Sequence, residues 1–387
     1  MTSRAGNKPK IRQNLSHNSP QTALVLSGGG ARAAYQVGAL RGIATVIDKE
    51  STNPFNIISG TSAGALNATG LATHAHKFRT GIRMLEYVWR HIRSDKIYRL
   101  DSNGLLSSAS NWVFSFINNR GRQVPTSLLD NRPLADLLAG VLKMERVNEN
   151  MNAGFLDSLV ITASGYSSGE SVSFFQSVND IDNWQRPHRI GIRTDLRYMH
   201  LMASSAIPTL FPAVKINREF FGDGAIRQLA PLSPAIHMGA DKILAIGVSG
   251  ARTRRPAKGE QIAQPSLSQI IGHVLNSAFV DTLESDIAVL QRYNGLLPYC
   301  KSKKDLDIRP VELLEITPSQ DLNRIAEDHY NSLPKAIRMF IRDTNSSSIA
   351  SLLMFEKEYC EKLMEMGVAD ALAKREQIQA FFSHQNE

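Results

Sequence analysis

Cysteine is scarce in this sequence: Cys300 and Cys360 are the only two among 387 residues. They form no CxxC pair and stand in no Cys/His cluster, which excludes a disulfide framework and a zinc site of the usual kinds. This usage is typical of proteins kept in a reducing compartment. We therefore expect a cytoplasmic protein.

Long apolar segments are missing as well. No run of about 18 or more apolar residues occurs, and the uncharged stretch at 55–76 is too rich in Gly, Ser, Thr and Asn to fit a membrane span. The first 20 residues contain four basic residues, no acid and no apolar core of a secretory signal. We expect them to form a flexible basic tail. Signals for export by a non-Sec route have no pattern that can be recognised in such a sequence.

Acidic residues are outnumbered, 36 against 44 Lys and Arg, so the chain carries a formal net charge of +8. Basic runs at 252–258 and 301–304 have two interpretations: a solvated surface, or attraction to an anionic surface. No nucleic-acid-binding signature accompanies the charge. A peripheral contact with an anionic membrane is therefore a better candidate than nucleic acid, and the oligomeric state stays open.

Short aliphatic runs alternate with helical patterns up to about residue 250. The run Thr22 to Leu26 ends at a serine and three glycines, and a helical pattern follows; a second run at 55–58 leads into another helix. This alternation predicts an α/β fold, a three-layer sandwich with a mainly parallel central sheet. An Arg-, Pro- and Gly-containing linker at 249–265 then precedes a mainly helical part with a strand candidate at 311–316, which we expect to join the sheet.

The sequence thus predicts a tail at 1–20, a domain at 21–250 and a helical extension at 251–387 that packs on this domain. Within the domain we expect a hairpin of strands at 159–163 and 172–175. Further predicted elements are helices at 80–97 and 133–147 and one strand at 214–221.

The most informative motif is Gly60-Thr61-Ser62-Ala63-Gly64, which lies between a predicted strand and a predicted helix. A serine on such a sharp turn holds a crowded backbone conformation, and glycine at Gly60 and Gly64 avoids a collision of side chains. The helix that follows aims its free N–H groups and positive dipole end at the hydroxyl. The pattern favours Ser62 as a nucleophile over the alternative of a simple packing turn.

Three consecutive glycines, Gly28, Gly29 and Gly30, follow the first strand. Their amides can form a concave patch for an oxyanion or a phosphate. The glycine spacing also matches the dinucleotide fingerprint, but the acids at the expected distance, Asp48 and Glu50, fall at the end of a helix rather than of a strand. The serine motif further along the chain favours an oxyanion hole over a dinucleotide-binding oxidoreductase.

Asp223 lies between Gly222 and Gly224, after a hydrophobic strand. An aspartate between glycines is most often a turn former. Its position at a strand end, where glycine allows close approach, also suits a catalytic carboxylate. His200 and His237 are candidate bases by residue type, but they lie in no distinctive motif, so we expect ordinary packing or surface roles for them.

Taken together, these motifs resemble the patatin-like phospholipase family. The chain has the family's glycine-rich loop with a basic residue (SGGGARAAYQVGAL), the serine motif (GTSAGALNA), the segment ASSAIPTLFPAV and a D-G-A motif at 223–225, in the family's order. The resemblance covers residues 21–250, and Ala225 stands where the family often has a second glycine. The part after residue 250 is similar to the helical extension of some bacterial members.

The resemblance implies a Ser–Asp dyad, with Ser62 as nucleophile and Asp223 as base. It also implies an oxyanion hole formed by the amides of the three glycines at 28–30, with Arg32 adding positive potential nearby. On this basis we expect a lipid acyl hydrolase that acts on lipid or phospholipid through an acyl-enzyme and needs no metal or cofactor. The alternative is a catalytically silent lipid-binding or regulatory protein on the same scaffold.

An acyl chain requires an apolar channel. We expect the segment at 80–116 to line it, with Trp89, Trp112, Phe114 and Phe116 either facing lipid or packing as ordinary core aromatics. A water-poor pocket is also expected, because aspartate is a weak base unless burial raises its pKa.

Overall fold

A computed structural model of the chain describes residues 20–47, 52–99, 129–250, 281–300, 309–335 and 347–383, with the isolated positions 127, 264, 273, 274, 276, 277, 337 and 338. Within these ranges, one sheet contains ten strands. They are β1 (Thr22–Leu26), β2 (Ile57–Thr61), β3 (Ser158–Gly165), β4 (Ser171–Ser177), β5 (Trp184–Arg186), β6 (Arg189–Arg193), β7 (Val214–Ile216), β8 (Glu219–Asp223), β9 (Lys242–Ile246) and β10 (Glu312–Ile316).

The sheet runs in the order β10-β9-β1-β2-β3-β4-β6-β5, and β8 pairs with both β3 and β7. Its centre, from β10 to β3, is entirely parallel. The predicted hairpin of β3 and β4 is antiparallel, as are the pairings of β8. The mainly parallel sheet and the addition of the strand after residue 310 are both confirmed.

Helices cover the sheet. The described α-helices are α1 (Ala34–Val46), α2 (Ala63–Ala72), α3 (Phe78–His91), α4 (Ser94–Ile97), α5 (Arg132–Val141), α6 (Glu145–Asn152), α7 (Tyr198–Ser204), α8 (Ser233–His237), α9 (Thr282–Leu296), α10 (Leu322–Asp328), α11 (Ser347–Leu353), α12 (Lys357–Ala373) and α13 (Arg375–Ser383). A 3-10 turn at Gly30–Ala33 leads into α1.

Side chains of the central strands alternate between two cores, because successive residues of a strand point to opposite faces of its sheet. In β1, Leu24 and Leu26 belong to the core that includes α1, α2 and α12. Ala23 and Val25 belong to the second core, which includes residues of α8 and α9. The sheet is therefore the middle layer of a three-layer α/β sandwich, as the sequence predicts.

The extension after residue 250 shares the first core through helix α12, which lies along α1. Glycines make this contact close: a Cβ added at Gly38 would lie 2.0 Å from the carbonyl oxygen of Met364, and one at Gly367 would lie 2.3 Å from that of Tyr35. Tyr359 and Leu363 of α12 are fully buried. The extension thus packs on the domain before it, while a division of the chain at residue 250 stays a prediction.

Several predicted boundaries are wrong. The single strand predicted at 214–221 is two antiparallel strands, β7 and β8, because the chain turns at Asn217, whose φ of 54° is one that asparagine tolerates. The helix predicted at 133–147 is two helices, α5 and α6, since Leu142 adopts an extended conformation. Ile92 likewise ends α3, so the helix predicted at 80–97 is also two.

Candidate active site

The glycine loop, Gly28–Gly30, and the Ser62 turn emerge at the same edge of the sheet. They follow β1 and β2, which are parallel neighbours with Leu26 opposite Gly60. A Cβ added at Gly64 would lie 2.4 Å from the carbonyl oxygens of both Leu26 and Ser27. Glycine at Gly64 therefore lets the start of α2 touch the strand that leads into the glycine loop.

Ser62 holds a strained backbone conformation, with φ 55° and ψ −130°. A non-glycine residue in such a region costs roughly 1–3 kcal/mol, and functional sites concentrate this kind of strain. A Cβ at Gly60 would lie 2.5 Å from the carbonyl oxygen of Gly64, which is the collision that the flanking glycines avoid.

Ser204 supports this turn. The amide of Ser62 donates a hydrogen bond to the Ser204 Oγ at 2.8 Å, and the Ser204 hydroxyl donates to the carbonyl oxygen of Thr162 at 2.6 Å. All three residues are buried. Ser204 lies in the segment ASSAIPTLFPAV, but nothing in that segment's sequence predicts its role at the turn.

Asp223 ends β8, which pairs with the far end of β3. Its amide donates to the carbonyl oxygen of Ala206 at 2.8 Å. A Cβ at Gly224 would lie 2.1 Å from the carbonyl oxygen of Thr162, so only glycine lets this turn approach β3 so closely. The side chain of Asp223 is thereby placed at the Ser62 turn.

The hydroxyl of Ser62 donates a hydrogen bond to Asp223 Oδ2 at 2.5 Å. The other carboxylate oxygen, Oδ1, accepts one from the amide of Ala225 at 3.0 Å, which orients the carboxylate. Asp223 is fully buried. Burial raises the pKa of Asp223 from its ordinary 3.8 to about 7, although the hydrogen bonds from Ser62 and Ala225 favour the charged form. The carboxylate is thus a stronger base than an exposed aspartate.

The last residue of the glycine loop, Gly30, lines the same cavity as Ser62. Its φ is +55°, and it begins the 3-10 turn before α1. Helix α1 follows the loop and helix α2 follows Ser62. Both helices direct their N-termini, the positive ends of their dipoles, toward this region. Arg32 is buried, and its guanidinium donates to Ser351 of the extension at 2.7 and 2.9 Å. The side chain of Arg32 is turned toward the extension, and the positive potential that it lends to the loop stays a prediction.

An apolar cavity opens at Ser62. Aliphatic and aromatic side chains of α3 to α5 and of the extension line it, among them Leu85, Trp89, Ile97, Leu134, Leu138 and Phe355. The indole N–H of Trp89 donates to Asn67 Oδ1 at 2.8 Å, so the ring presents no unpaired polar atom. Part of the predicted channel segment thus lines the cavity. Trp112, Phe114 and Phe116 lie outside the described residues.

The two histidines considered from the sequence are bonded elsewhere. The Nδ1 atom of His200 accepts from the amide of Arg197 at 2.9 Å and caps α7, and burial lowers the pKa of His200 to about 4. The Nδ1 atom of His237 lies 2.8 Å from the carbonyl oxygen of Ser233 in its own helix. The hydrogen-bond partner of Ser62 is the carboxylate of Asp223.

A model of the patatin-like phospholipase family matches residues 24–236, more than half of the chain. The chain belongs to the patatin-like phospholipase family. Membership supports a lipid hydrolase. The cavity beside Gly30 is apolar, which suits an acyl chain better than a dinucleotide. Asp48 and Glu50 lie outside the described residues.

Known members and solved structures are similar to this chain over different spans. A cGAMP-activated phospholipase of Pseudomonas aeruginosa is 25% identical over 219 residues, which are 54% of this chain and 53% of that protein. The chain thus spans about half the length of this curated relative. The human GIVD cytosolic phospholipase A2, in complex with methyl γ-linolenyl fluorophosphonate, is 14% identical with a TM-score of 0.43, over 97% of this chain and 61% of that one. VipD of Legionella pneumophila is 11% identical with a TM-score of 0.31, over 90% and 67%.

Proposed function

We propose that this family member hydrolyses the acyl ester bonds of lipids through an acyl-enzyme on Ser62, with Asp223 as base. One observation carries the proposal: a buried serine hydroxyl donates a 2.5 Å hydrogen bond to a buried carboxylate, and the serine lines an apolar cavity. The pair is a nucleophile with a base in bonding reach, which is the arrangement that acyl transfer requires.

In the first half-reaction, Ser62 Oγ attacks the ester carbonyl carbon while its proton moves to Asp223 Oδ2. The carbonyl oxygen becomes an oxyanion, and the amides of the glycine loop, Gly28–Gly30, would stabilise it by a few kcal/mol per donor. The leaving alcohol takes the proton back from Asp223. A water then gives its proton to the same carboxylate, attacks the acyl-enzyme and releases the acid, and Ser62 recovers its proton.

The lining of the cavity supports an acyl chain as the group it receives, since nearly all of the lining side chains are apolar. We further propose a cytoplasmic enzyme that meets its lipid at an anionic membrane surface, which the net charge of +8 supports. Within the described ranges, no helix has both the length and the apolar character needed to cross a bilayer.

Hydrolysis of p-nitrophenyl esters of increasing chain length and of phospholipid vesicles tests this function. Ser62→Ala and Asp223→Asn should each lower kcat/KM by about 10³-fold or more, while Ser285→Ala, which alters an exposed serine, leaves it unchanged. Full activity of Ser62→Ala would place the nucleophile elsewhere. Vesicle binding by a wild-type protein without turnover would instead favour the catalytically silent alternative.

A further inference from the structure

Arg32 connects the glycine loop with the extension. It lies two residues after Gly30, and its guanidinium bonds to three side chains that are distant in sequence. Nε and Nη2 donate to Ser351 Oγ at 2.9 and 2.7 Å, and Nη2 also donates to Asn323 Oδ1 at 2.7 Å and Asn276 Oδ1 at 3.0 Å.

These partners are themselves held in place. The hydroxyl of Ser351 lies 3.2 Å from Asn323 Oδ1 and 2.8 Å from the carbonyl oxygen of Ser348 in its own helix, α11. Asn323 is the second residue of α10. Its amide donates a hydrogen bond of 2.9 Å to the carboxylate of Asp321, which caps the start of this helix. The guanidinium is therefore bound by side chains of two helices of the extension, α10 and α11, in addition to Asn276.

A second contact joins the same parts of the chain. A Cβ added at Gly30 would lie 2.2 Å from the carbonyl oxygen of Leu352, the residue after Ser351. The backbone of α11 therefore lies directly against the glycine loop, on the segment that lines the cavity with Ser62. A shift of α11 would therefore disturb either its backbone contact with Gly30 or its hydrogen bonds with the guanidinium of Arg32.

Arg32 is only 2% exposed, and the hydrogen-bond acceptors in these contacts are neutral. Burial lowers the pKa of Arg32, and the negative charges of Asp321 and Asp281 act nearby to raise it. Neutral hydrogen bonds compensate for the burial of a charge only in part. Arg32 is fixed between the glycine loop and two helices of the extension, so its hydrogen bonds align the loop with the extension.

We propose that Ser351 and Asn323 of the extension are positioning residues that act through Arg32 to hold the glycine-loop amides in register with Ser62. The inference rests on the proposed function, in which these amides stabilise the oxyanion. It makes the extension a part of the catalytic machinery and not only of the fold.

The test compares Asn323→Ala, which removes the acceptor, with Asn323→Asp, which keeps an oxygen for Arg32. Ser351→Ala is the second probe. Ser158→Ala is the control, because it removes a buried hydroxyl that bonds to Ser177 Oγ at 2.8 Å at the opposite end of β3. Each full-length protein is assayed for kcat and KM on an ester, for its second-order rate of inactivation by a fluorophosphonate, and for Tm.

We expect Asn323→Ala and Ser351→Ala to lower kcat and the inactivation rate about tenfold, with KM within about twofold of wild type. Asn323→Asp should recover most of the loss, and Ser158→Ala should lower Tm alone. Kinetics of both alanine variants equal to wild type would overturn the inference, as would equal losses in Asn323→Ala and Asn323→Asp. If Ser351→Ala does not fold, the Asn323 pair decides. A wild-type protein that neither hydrolyses the ester nor reacts with the fluorophosphonate would instead contradict the proposed function.

Discussion

At the scale of single residues, the site depends on how far burial shifts one carboxyl group. Asp223 has no access to solvent, and its pKa rises to about 7. Only the deprotonated carboxylate can accept the proton of Ser62. The fraction of active protein therefore changes across neutral pH rather than near pH 4, where an exposed aspartate titrates.

The pH profile of kcat/KM follows from this shift. We expect it to rise with pH along a single ionisation with a midpoint near 7 and to level off above it, because that is where Asp223 becomes a base. The measurement is ester hydrolysis from pH 5 to 9, with the rate of Ser62→Ala subtracted at each pH. Activity that is constant between pH 5 and 8 would contradict the role given to this carboxyl group.

The same shift predicts a pH-dependent stability. The pKa of Asp223 is higher in the folded than in the unfolded protein, so the folded protein binds the carboxyl proton more tightly. The stability that this binding contributes is fully present below about pH 3.8 and is lost as pH rises through about 7. Asp223→Asn avoids the buried charge. Its Tm should exceed that of wild type by roughly 3–6 °C at pH 8, and the difference should shrink as pH falls and vanish only below about pH 4. A lower Tm of the variant at pH 8 would show that the charged form stabilises the fold.

Two adjacent buried serines should respond differently to alanine. The hydroxyl of Ser204 bonds to the Ser62 amide and to Thr162, whereas Ser205 Oγ is buried beside the cavity and has no hydrogen-bond partner among the described residues. Ser204→Ala should lower Tm by roughly 3–6 °C, since it leaves a buried amide unpaired. Ser205→Ala should leave Tm unchanged or slightly higher. Thermal melts of the two variants side by side check this, and an equal loss in both would contradict it.

At the scale of elements, close helix contacts hold the extension on the domain. Gly38 of α1 faces the carbonyl oxygen of Met364 in α12, and Gly42 faces Ala371 and the backbone of Val368. A helix pairing with so little space requires glycine, although glycine lowers helix propensity. The cost to α1 is offset by the burial of α12 against it.

Gly38→Ala and Gly140→Ala form a matched pair within helices. A Cβ at Gly38 would lie 2.0 Å from the backbone of Met364, whereas one at Gly140, in α5, would meet no atom of the described part of the chain within 4 Å. We expect Gly38→Ala to lower the free energy of unfolding by about 2–3 kcal/mol and Gly140→Ala to raise it by up to about 1 kcal/mol. Urea unfolding measures both. A neutral Gly38→Ala would mean that α1 and α12 separate without cost.

The elements that the sequence predicts well are those whose pattern is set by burial. β1 is an aliphatic run, and β10 is the lone strand candidate after the linker; both are found. The sequence does not predict β5 and β6, because Trp184–Arg186 and Arg189–Arg193 are short and carry arginines; β5 is the last strand of the sheet and β6 lies beside it. The single strand predicted at 214–221 overlooks three consecutive polar residues, Asn217, Arg218 and Glu219, which mark the turn between β7 and β8.

At the scale of the whole molecule, the candidate site joins segments that are far apart in the chain. Ser62 and Asp223 are separated by 161 positions, and Arg32 and Ser351 by 319. The sequence identifies the first pair because glycines mark the turns that bring them together. It gives no signal for Ser351, Asn323 or Phe355, since none of these three residues lies in a recognisable motif.

The central claim is that these distant segments make one reactive serine at Ser62. The most direct measurement is tandem mass spectrometry of the protein after reaction with a fluorophosphonate, which forms a covalent adduct on an activated serine. We expect a single adduct, on the peptide that contains Ser62, and none in Asp223→Asn over the same time. An adduct on another serine, or a wild-type protein that stays unmodified, would contradict the account.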